Sequence, residues 1–483
     1  MTTTPPNILW ICTDQQRYDT IRALGNARIN TPNIDALIGR GVAFTNAYVQ
    51  SPVCAPSRAS FLTGRYPRTT RLRQNGQTIP ADERLLGKIF SEAGYVCGLA
   101  GKLHLASCSD GKIEERADDG YDIFHWSHHP QPDWGHANAY TRWLASKGKT
   151  WDELYTGPET PYVKHGIPAE YHQTTWCAEM TIAFIREHGT RQQGCSGERR
   201  PWMINFNCFD PHHPFDPPAE YLSRYDPAEM PLPKFRPGEL EHKPEYQKLD
   251  HVWAHNEPGY FHVAAMTDDD KRQVCAAYWA MVELIDDQVG RMLAALDESG
   301  QRDDTLVIFM SDHGEMLGDH GIYLKGPHFY DAMVHVPLVI SWPGHVQEDL
   351  RADAMVELVD LAPTLLDAAG IEIPEAMQGR SLLPILAGTT SASTHRDSVF
   401  SEYYNAWTHK RSYGTMLRTS DWKIVVYHGV DEGELYDLRS DPDEFENLWD
   451  ASAHATTKTE LLKRCFDASV LTMDPTPPRR GPF

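Results

Sequence analysis

Two short apolar runs, each stopped by an aspartate, constrain this chain more than any other feature. Asn7 to Thr13 (NILWICT) follows two prolines and ends at Asp14, and Thr305 to Ser311 (TLVIFMS) ends at Asp312, His313 and Gly314. Runs of this length without polar alternation suit strands buried on both faces of a parallel sheet. Strand candidates Trp202 to Phe206 and Val336 to Ser341 and a helix-like segment Lys271 to Leu296 alternate with them. That alternation predicts an α/β fold, a large, mostly parallel sheet flanked by helices. In such sheets ligands gather beyond the carboxyl ends of the strands, so Asp14 and Asp312 are expected to face one crevice despite their separation in sequence.

At 483 residues the chain exceeds what one hydrophobic core usually serves. After Gly388 the texture changes to a Ser/Thr-rich linker, followed by strand-like Ser398 to Tyr404, Thr415 to Arg418 and Trp422 to Tyr427. The expected division is an α/β domain over 1–388 and a small α+β subdomain with an antiparallel sheet over 389–483. Stretches 125–170 and 210–262, rich in Pro, His and Trp, carry little periodicity and are expected to form excursions over the crevice. Within them Trp126, Trp134 and His136 are candidates for either a pocket wall or simple packing.

The formal charge of −22 disfavours nucleic acid and anionic membrane surfaces as partners. No segment approaches the roughly 20 apolar residues of a membrane span, and Met1 to Pro6 has neither the basic nor the apolar region of a secretory signal. Nine cysteines without paired short spacings do not form a disulfide or zinc pattern. These features lead us to expect a soluble protein of the reducing cytoplasm, and they leave a homo-oligomer open.

Charge is unevenly spread. Between Ser51 and Ala81 there is no acidic residue, while Arg58, Arg65, Arg68, Arg71 and Arg73 all fall there. Cys54 sits in this segment, where positive charge favours a reactive sulfur or an anion. A thiolate phosphatase loop needs five residues between Cys and Arg; here there are three, and Pro56 removes a backbone donor.

Cys54-Ala55-Pro56-Ser57-Arg58 followed by Leu62-Thr63-Gly64-Arg65 resembles the signature of the sulfatase family, which includes phosphonate monoester hydrolases and has an alkaline-phosphatase-like fold. The resemblance implies that a formylglycine-generating maturation enzyme oxidises Cys54 to Cα-formylglycine. The hydrated aldehyde then offers one hydroxyl to attack the ester through a covalent sulfo-enzyme intermediate and a second to expel sulfate. It also implies one divalent ion, Ca2+ by family expectation with Mn2+ or Mg2+ open, held by Asp14, Gln15, Cys54, Asp312 and His313. Many relatives carry Asp where Gln15 stands, and some carry Asn where His313 stands.

Gly101-Lys102-Leu103-His104-Leu105 resembles the family's G-K-W-H-L element, with Lys102 implied to bind sulfate oxygens and His104 to act as base. Asp210-Pro211-His212-His213-Pro214 resembles its H-x-P element, which places His212 near the leaving oxygen and makes His213 its variable neighbour. Lys325 matches a lysine that binds sulfate and assists departure of the alcohol, and Asn75 a substrate-side asparagine. The implied reaction is hydrolysis of a small anionic sulfate ester. The alternative is a phosphonate monoester or phosphodiester hydrolase on the same scaffold, although such enzymes tend to replace the Lys102 and His104 positions by neutral hydroxyl residues. Leu435-Tyr436-Asp437-Leu438 and the turn to Asp450 resemble a structural C-terminal strand and turn.

Overall fold

A computed structural model describes residues 5–109, 111–155, 157–158, 160–194, 200–405 and 412–477. Its strands are β1 (Asn7–Thr13), β2 (Val42–Tyr48), β3 (Val96–Gly101), β4 (Ile123–Trp126), β5 (Gly157–Pro158), β6 (Lys164–His165), β7 (Trp202–Asn207), β8 (Thr305–Ser311), β9 (Leu338–Ser341), β10 (Leu350–Glu357), β11 (Val399–Tyr404), β12 (Tyr413–Arg418), β13 (Trp422–Tyr427) and β14 (Glu432–Asp437). Eight of them form one sheet in the order β10-β2-β9-β8-β1-β7-β3-β4. Only β9 runs antiparallel to its neighbours there.

The continuous apolar runs do what two buried faces require. Every residue of β1, β7 and β8 is buried. Alternate side chains feed opposite cores: Ile8, Trp10 and Cys12 pack on one side with Ala59, Leu62 and Phe90. Leu9 and Ile11 pack on the other with Trp176, Ile185, Ile285 and Val289. The last two come from the helix Asp268–Glu298, which begins three residues before the expected Lys271. Its capping box pairs Thr267 with Asp270, and the acidic first turn that masked its start suits a helix N-terminus.

The four strands β11 to β14 form an antiparallel sheet. One face packs on Leu461 and Cys465 of the helix Ala455–Leu471, and the other sends Val399, Tyr403, Met416 and Tyr427 into the main core. Within β14, Glu434 is buried and accepts hydrogen bonds from Gln247, Tyr427 and Tyr436. Among the described residues no helix is long and apolar enough to cross a membrane.

Register brings the site together. Thr13 of β1 is paired with Ser311 of β8, so Asp14 and Asp312 leave the sheet side by side. On the other flank Gly101 of β3 is paired with Asn207 of β7, and the Lys102 N–H continues the ladder to the Asn207 carbonyl at 2.9 Å. Gly101 has a φ of +114°, and a Cβ there would lie 1.9 Å from the Asn207 carbonyl oxygen, so only glycine fits where the chain turns toward the crevice.

Candidate active site

Cys54 is the first residue of the helix Cys54–Thr63, all of whose residues are buried. Pro56 lies in the first turn, where a missing N–H costs nothing because those donors have no intrahelical partner. The Ala55 N–H is satisfied instead by the side-chain oxygen of Asn75 at 3.0 Å. Asn75 is thus engaged on the helix that carries Cys54. Helical spacing places Cys54 and Arg58 on one face, four residues apart.

Arg58 is buried without exposure and divides its nitrogens among three partners. Nε donates to Asp312 Oδ2 at 2.8 Å, one terminal nitrogen to Asp14 Oδ2 at 3.1 Å, and the other to the Lys102 carbonyl at 3.1 Å. Lys102 Nζ donates to the same Asp14 oxygen at 2.6 Å. Burial alone would raise the Asp14 carboxyl, but Lys102, Arg58, Lys325 and His313 hold it well below the usual carboxylate range. Of the five arginines in the acid-free segment only Arg58 enters the site. Arg65, Arg68 and Arg71 pair with Asp474, Glu402 and Asp82, and Arg73 lies 4.0 Å over the Tyr404 ring.

The Cys54 Sγ lies 3.0 Å from His313 Nε2, 2.9 Å from Lys325 Nζ and 3.7 Å from Asp14 Oδ1. Burial and Asp14 push the thiol up, yet Lys102, Lys325 and His313 together bring it below its ordinary 9.0. His313 Nδ1 faces the Gly314 carbonyl at 2.8 Å and so carries the proton when the ring is neutral, which leaves the Nε2 lone pair toward Cys54. Lys325 uses its three protons on three acceptors: Cys54 Sγ, Gln15 Oε1 at 2.8 Å and His212 Nε2 at 2.7 Å. The Nδ1 of His212 faces the His213 carbonyl at 2.5 Å, which assigns its proton there and the Nε2 lone pair to the lysine.

Ligand atoms of Asp14, Cys54, Asp312 and His313 lie within 4.8 Å of one another, all buried. Two carboxylates and a correctly oriented imidazole are a donor set that fits a divalent cation. Gln15 borders this group with a φ of +69°; its amide oxygen accepts from Lys325 and its amide nitrogen meets Glu315.

His104 also takes a left-handed conformation, at φ +61°, and packs edge-to-face on His128 with centroids 4.7 Å apart. Burial, with Lys102 and His128 beside it, lowers it well below the usual histidine value. Trp126 and Trp134 turn out to be packing residues: they meet edge-on at 5.4 Å, and their indole N–H groups bond Glu114 and the Lys112 carbonyl. His136 is exposed.

Three supporting residues escaped the sequence reading. Buried Glu114 accepts from the N–H groups of His104, Leu105 and Ala106 and from the Trp126 indole. Glu315 accepts from Leu317 and Leu324 and orients Gln15. Asn207 Nδ2 donates to the Lys102 carbonyl at 2.8 Å. Of these only Glu315, directly after Asp312-His313-Gly314, carried a positional hint.

Known proteins match this architecture over nearly its whole length. The sulfatase family profile covers residues 6–371, and that of the N-sulphoglucosamine sulphohydrolase C-terminal region covers 318–470. An arylsulfatase of Clostridium perfringens is 30% identical over 92% of this chain and 90% of its own. A multifunctional alkaline phosphatase superfamily protein of Trinickia caryophylli is 30% identical over 96% of this chain and 95% of its own. The solved structure of a phosphonate monoester hydrolase from Silicibacter pomeroyi superposes with a TM-score of 0.83 at 27% identity, covering 97% of this chain and 96% of that one. With its fold, its strand-end aspartates and its Cys54 helix, the chain belongs to the sulfatase family of hydrolases, within the alkaline-phosphatase-like superfamily.

Proposed function

We propose that this protein hydrolyses sulfate monoesters, with Cys54 converted to Cα-formylglycine and a divalent ion held by Asp14, Gln15, Asp312, His313 and position 54. The observation that carries this reading is the buried Sγ of Cys54 in contact with both Lys325 and His313, inside a group of four metal-competent side chains. When bound, the ion would supply Lewis acidity to the nucleophile and an ester oxygen. The hydrated aldehyde supplies one hydroxyl for attack on sulfur and a second whose deprotonation releases sulfate.

The chain's own residues divide the remaining work. Arg58 fixes the spacing of the two aspartates. Lys102 and Lys325 provide charge where the transferring group's oxygens become more negative, an environment made more effective by burial. Lys325 and His212, in contact at 2.7 Å, form a route for a proton to the departing alcohol. Neutral His104 is suited to accept the proton of the second hydroxyl.

The alternative, a phosphonate monoester hydrolase, is favoured by the 0.83 TM-score to such an enzyme; the cationic Lys102 beside His104 favours sulfate. The test is a kcat/KM comparison of 4-nitrophenyl sulfate with 4-nitrophenyl phenylphosphonate on metal-replete enzyme. Conversion of Cys54 is first verified as a mass loss of about 18 Da in the dehydrated peptide. Chelation should abolish turnover, and Ca2+, Mn2+ or Mg2+ should restore it. A phosphonate preference of orders of magnitude, or full activity after metal is shown to be gone, overturns the assignment.

A further inference from the structure

Beside the proposed centre lies a run of imidazoles, five of whose ring nitrogens have no hydrogen-bond partner. Lys102 Nζ sits 5.3 Å from the Phe209 ring centroid, and Phe209 packs on His212 at 4.4 Å, which in turn stacks on His213 at 4.1 Å. Toward the other side the His128 ring lies 6.4 Å from Phe209 and 4.7 Å from His104, and His129 packs on Trp134 at 4.1 Å. The wall is therefore continuous with both lysines of the site.

His104 Nδ1, both ring nitrogens of His128, His129 Nδ1 and His213 Nδ1 have no hydrogen-bond partner and are shielded from water. Buried polar groups are ordinarily hydrogen-bonded, so five unpaired nitrogens at one place call for an explanation. A second metal ion does not provide it. Among the described residues the only metal-competent group with converging atoms is that of Asp14, Cys54, Asp312 and His313. Charge does not provide it either, because burial and Lys102 keep His128 and His129 neutral. His128, His129 and His213 are half-buried, so each presents part of its surface to solvent. A half-turn about χ2, a soft twofold torsion, exchanges ring carbon for nitrogen along that edge.

We propose that this wall is the subsite for the alcohol half of the substrate, that it takes an uncharged alcohol carrying further hydroxyls, and that His128 is the residue that selects for them. A neutral imidazole offers one donor and one acceptor, the complement of a hydroxyl, which is both. A carboxylate could use only the donors. A cationic alcohol would meet Lys102 and Lys325. A bare hydrocarbon or aryl group would leave every nitrogen unpaired, and sites built to bond a hydroxyl reject analogues that lack it. The half-buried faces of His128, His129 and His213 supply apolar area for the carbon skeleton.

This inference rests on the proposed ester hydrolysis but concerns only the leaving group, and the experiment separates the two. Glucose 6-sulfate and cyclohexylmethyl sulfate are both primary alkyl sulfates on a six-membered ring, one with hydroxyls and one without. The wild-type enzyme should favour the sugar in kcat/KM by about 100-fold or more, and His128→Phe, which keeps a ring but deletes both nitrogens, should shrink that ratio at least about tenfold. His128→Gln, which returns a donor and an acceptor, should recover part of it. Loss of packing alone lowers both rates and leaves the ratio unchanged. The same pair is run as methylphosphonate monoesters. If only these turn over, sulfate hydrolysis is wrong, while their ratio still reads the subsite. Equal handling of the two alcohols by wild type, or an unaltered ratio in His128→Phe, overturns the proposal.

Discussion

Glu114 gives the sharpest test of how the site is held. Its carboxylate accepts from His104 N at 2.9 Å, Leu105 N at 2.5 Å, Ala106 N at 3.1 Å and Trp126 Nε1 at 2.8 Å. These bonds hold the loop that carries Lys102 and His104, including the left-handed backbone of His104, which a non-glycine residue adopts only when its surroundings impose it. Glu114→Ala strands three backbone donors and one indole donor. At about 1–3 kcal/mol each, reduced where water enters, the loss is roughly 3–5 kcal/mol. Glu114→Gln keeps the volume but can turn only one oxygen inward, so two N–H groups meet an amide NH2; roughly half that loss is expected. The urea midpoint measures the first effect. The second appears as a fall of about tenfold or more in kcat/KM, because a 1 Å shift of a catalytic loop suffices for that. If Glu114→Gln keeps both its midpoint and its turnover, the four bonds do not position the loop.

Cys54→Ser retains one hydroxyl and loses the geminal second, so incubation with substrate should add about 80 Da to the intact protein without sustained turnover; multiple turnovers would contradict the two-hydroxyl scheme. Lys325→Arg preserves charge but not three acceptors around one nitrogen, and kcat should drop about 100-fold; wild-type rates would show that charge alone matters. Arg58→Lys can reach only one of the two aspartates, so titration calorimetry should show cation affinity weaker by about 10- to 100-fold; unchanged affinity would reduce Arg58 to a counter-charge. His335 is pushed down to about 4 by burial, with Arg418 and Lys423 adding to the shift and Asp331 opposing it. Its folded value lies below the unfolded one, so its contribution is complete above about pH 6.5 and is lost as pH falls toward 4, by roughly 3 kcal/mol. Denaturant midpoints across that window should decline more steeply than in His335→Gln, and parallel curves would refute the assignment.

What could be read from sequence followed from locality. β1 and β8 announce themselves because burial on both faces forces an unbroken apolar run, and register then carries Asp14 and Asp312 to one edge. β3 (VCGLAG) is the opposite case. Its two glycines interrupt the apolar run and it is not among the strand candidates, yet Gly98 makes room for the Phe184 ring and Gly101 for the Asn207 carbonyl, so tertiary packing overrides propensity. The same division holds at the site. Cys54 with Arg58, Lys102 with His104, and Asp312 with His313 are each compressed into a few residues, whereas the bonds from Glu114 and Asn207 exist only once the strands are assembled. Charge alone does not distinguish Arg58 from Arg65, Arg68 or Arg71; its spacing from Cys54 does, and the carboxylate partners of the other three lie outside the acid-free segment.

The charge pattern also explains how a protein of net charge −22 can attract an anionic ester. Before conversion, Lys102, Lys325 and His313 outweigh burial and Asp14 and lower the Cys54 thiol, and a thiolate formed there adds negative charge beside Asp14 and Asp312. Arg58, Lys102 and Lys325 are buried cations that face them, and a thiolate at position 54 takes up part of that positive charge. On the proposed conversion the residue at 54 becomes an uncharged hydrate, and the same side chains are left with an excess of positive charge even before a divalent ion is added. Within a buried site such an excess is felt strongly and screened weakly by salt. The modification then does more than create a nucleophile. It removes a group able to carry negative charge where the anionic substrate must bind.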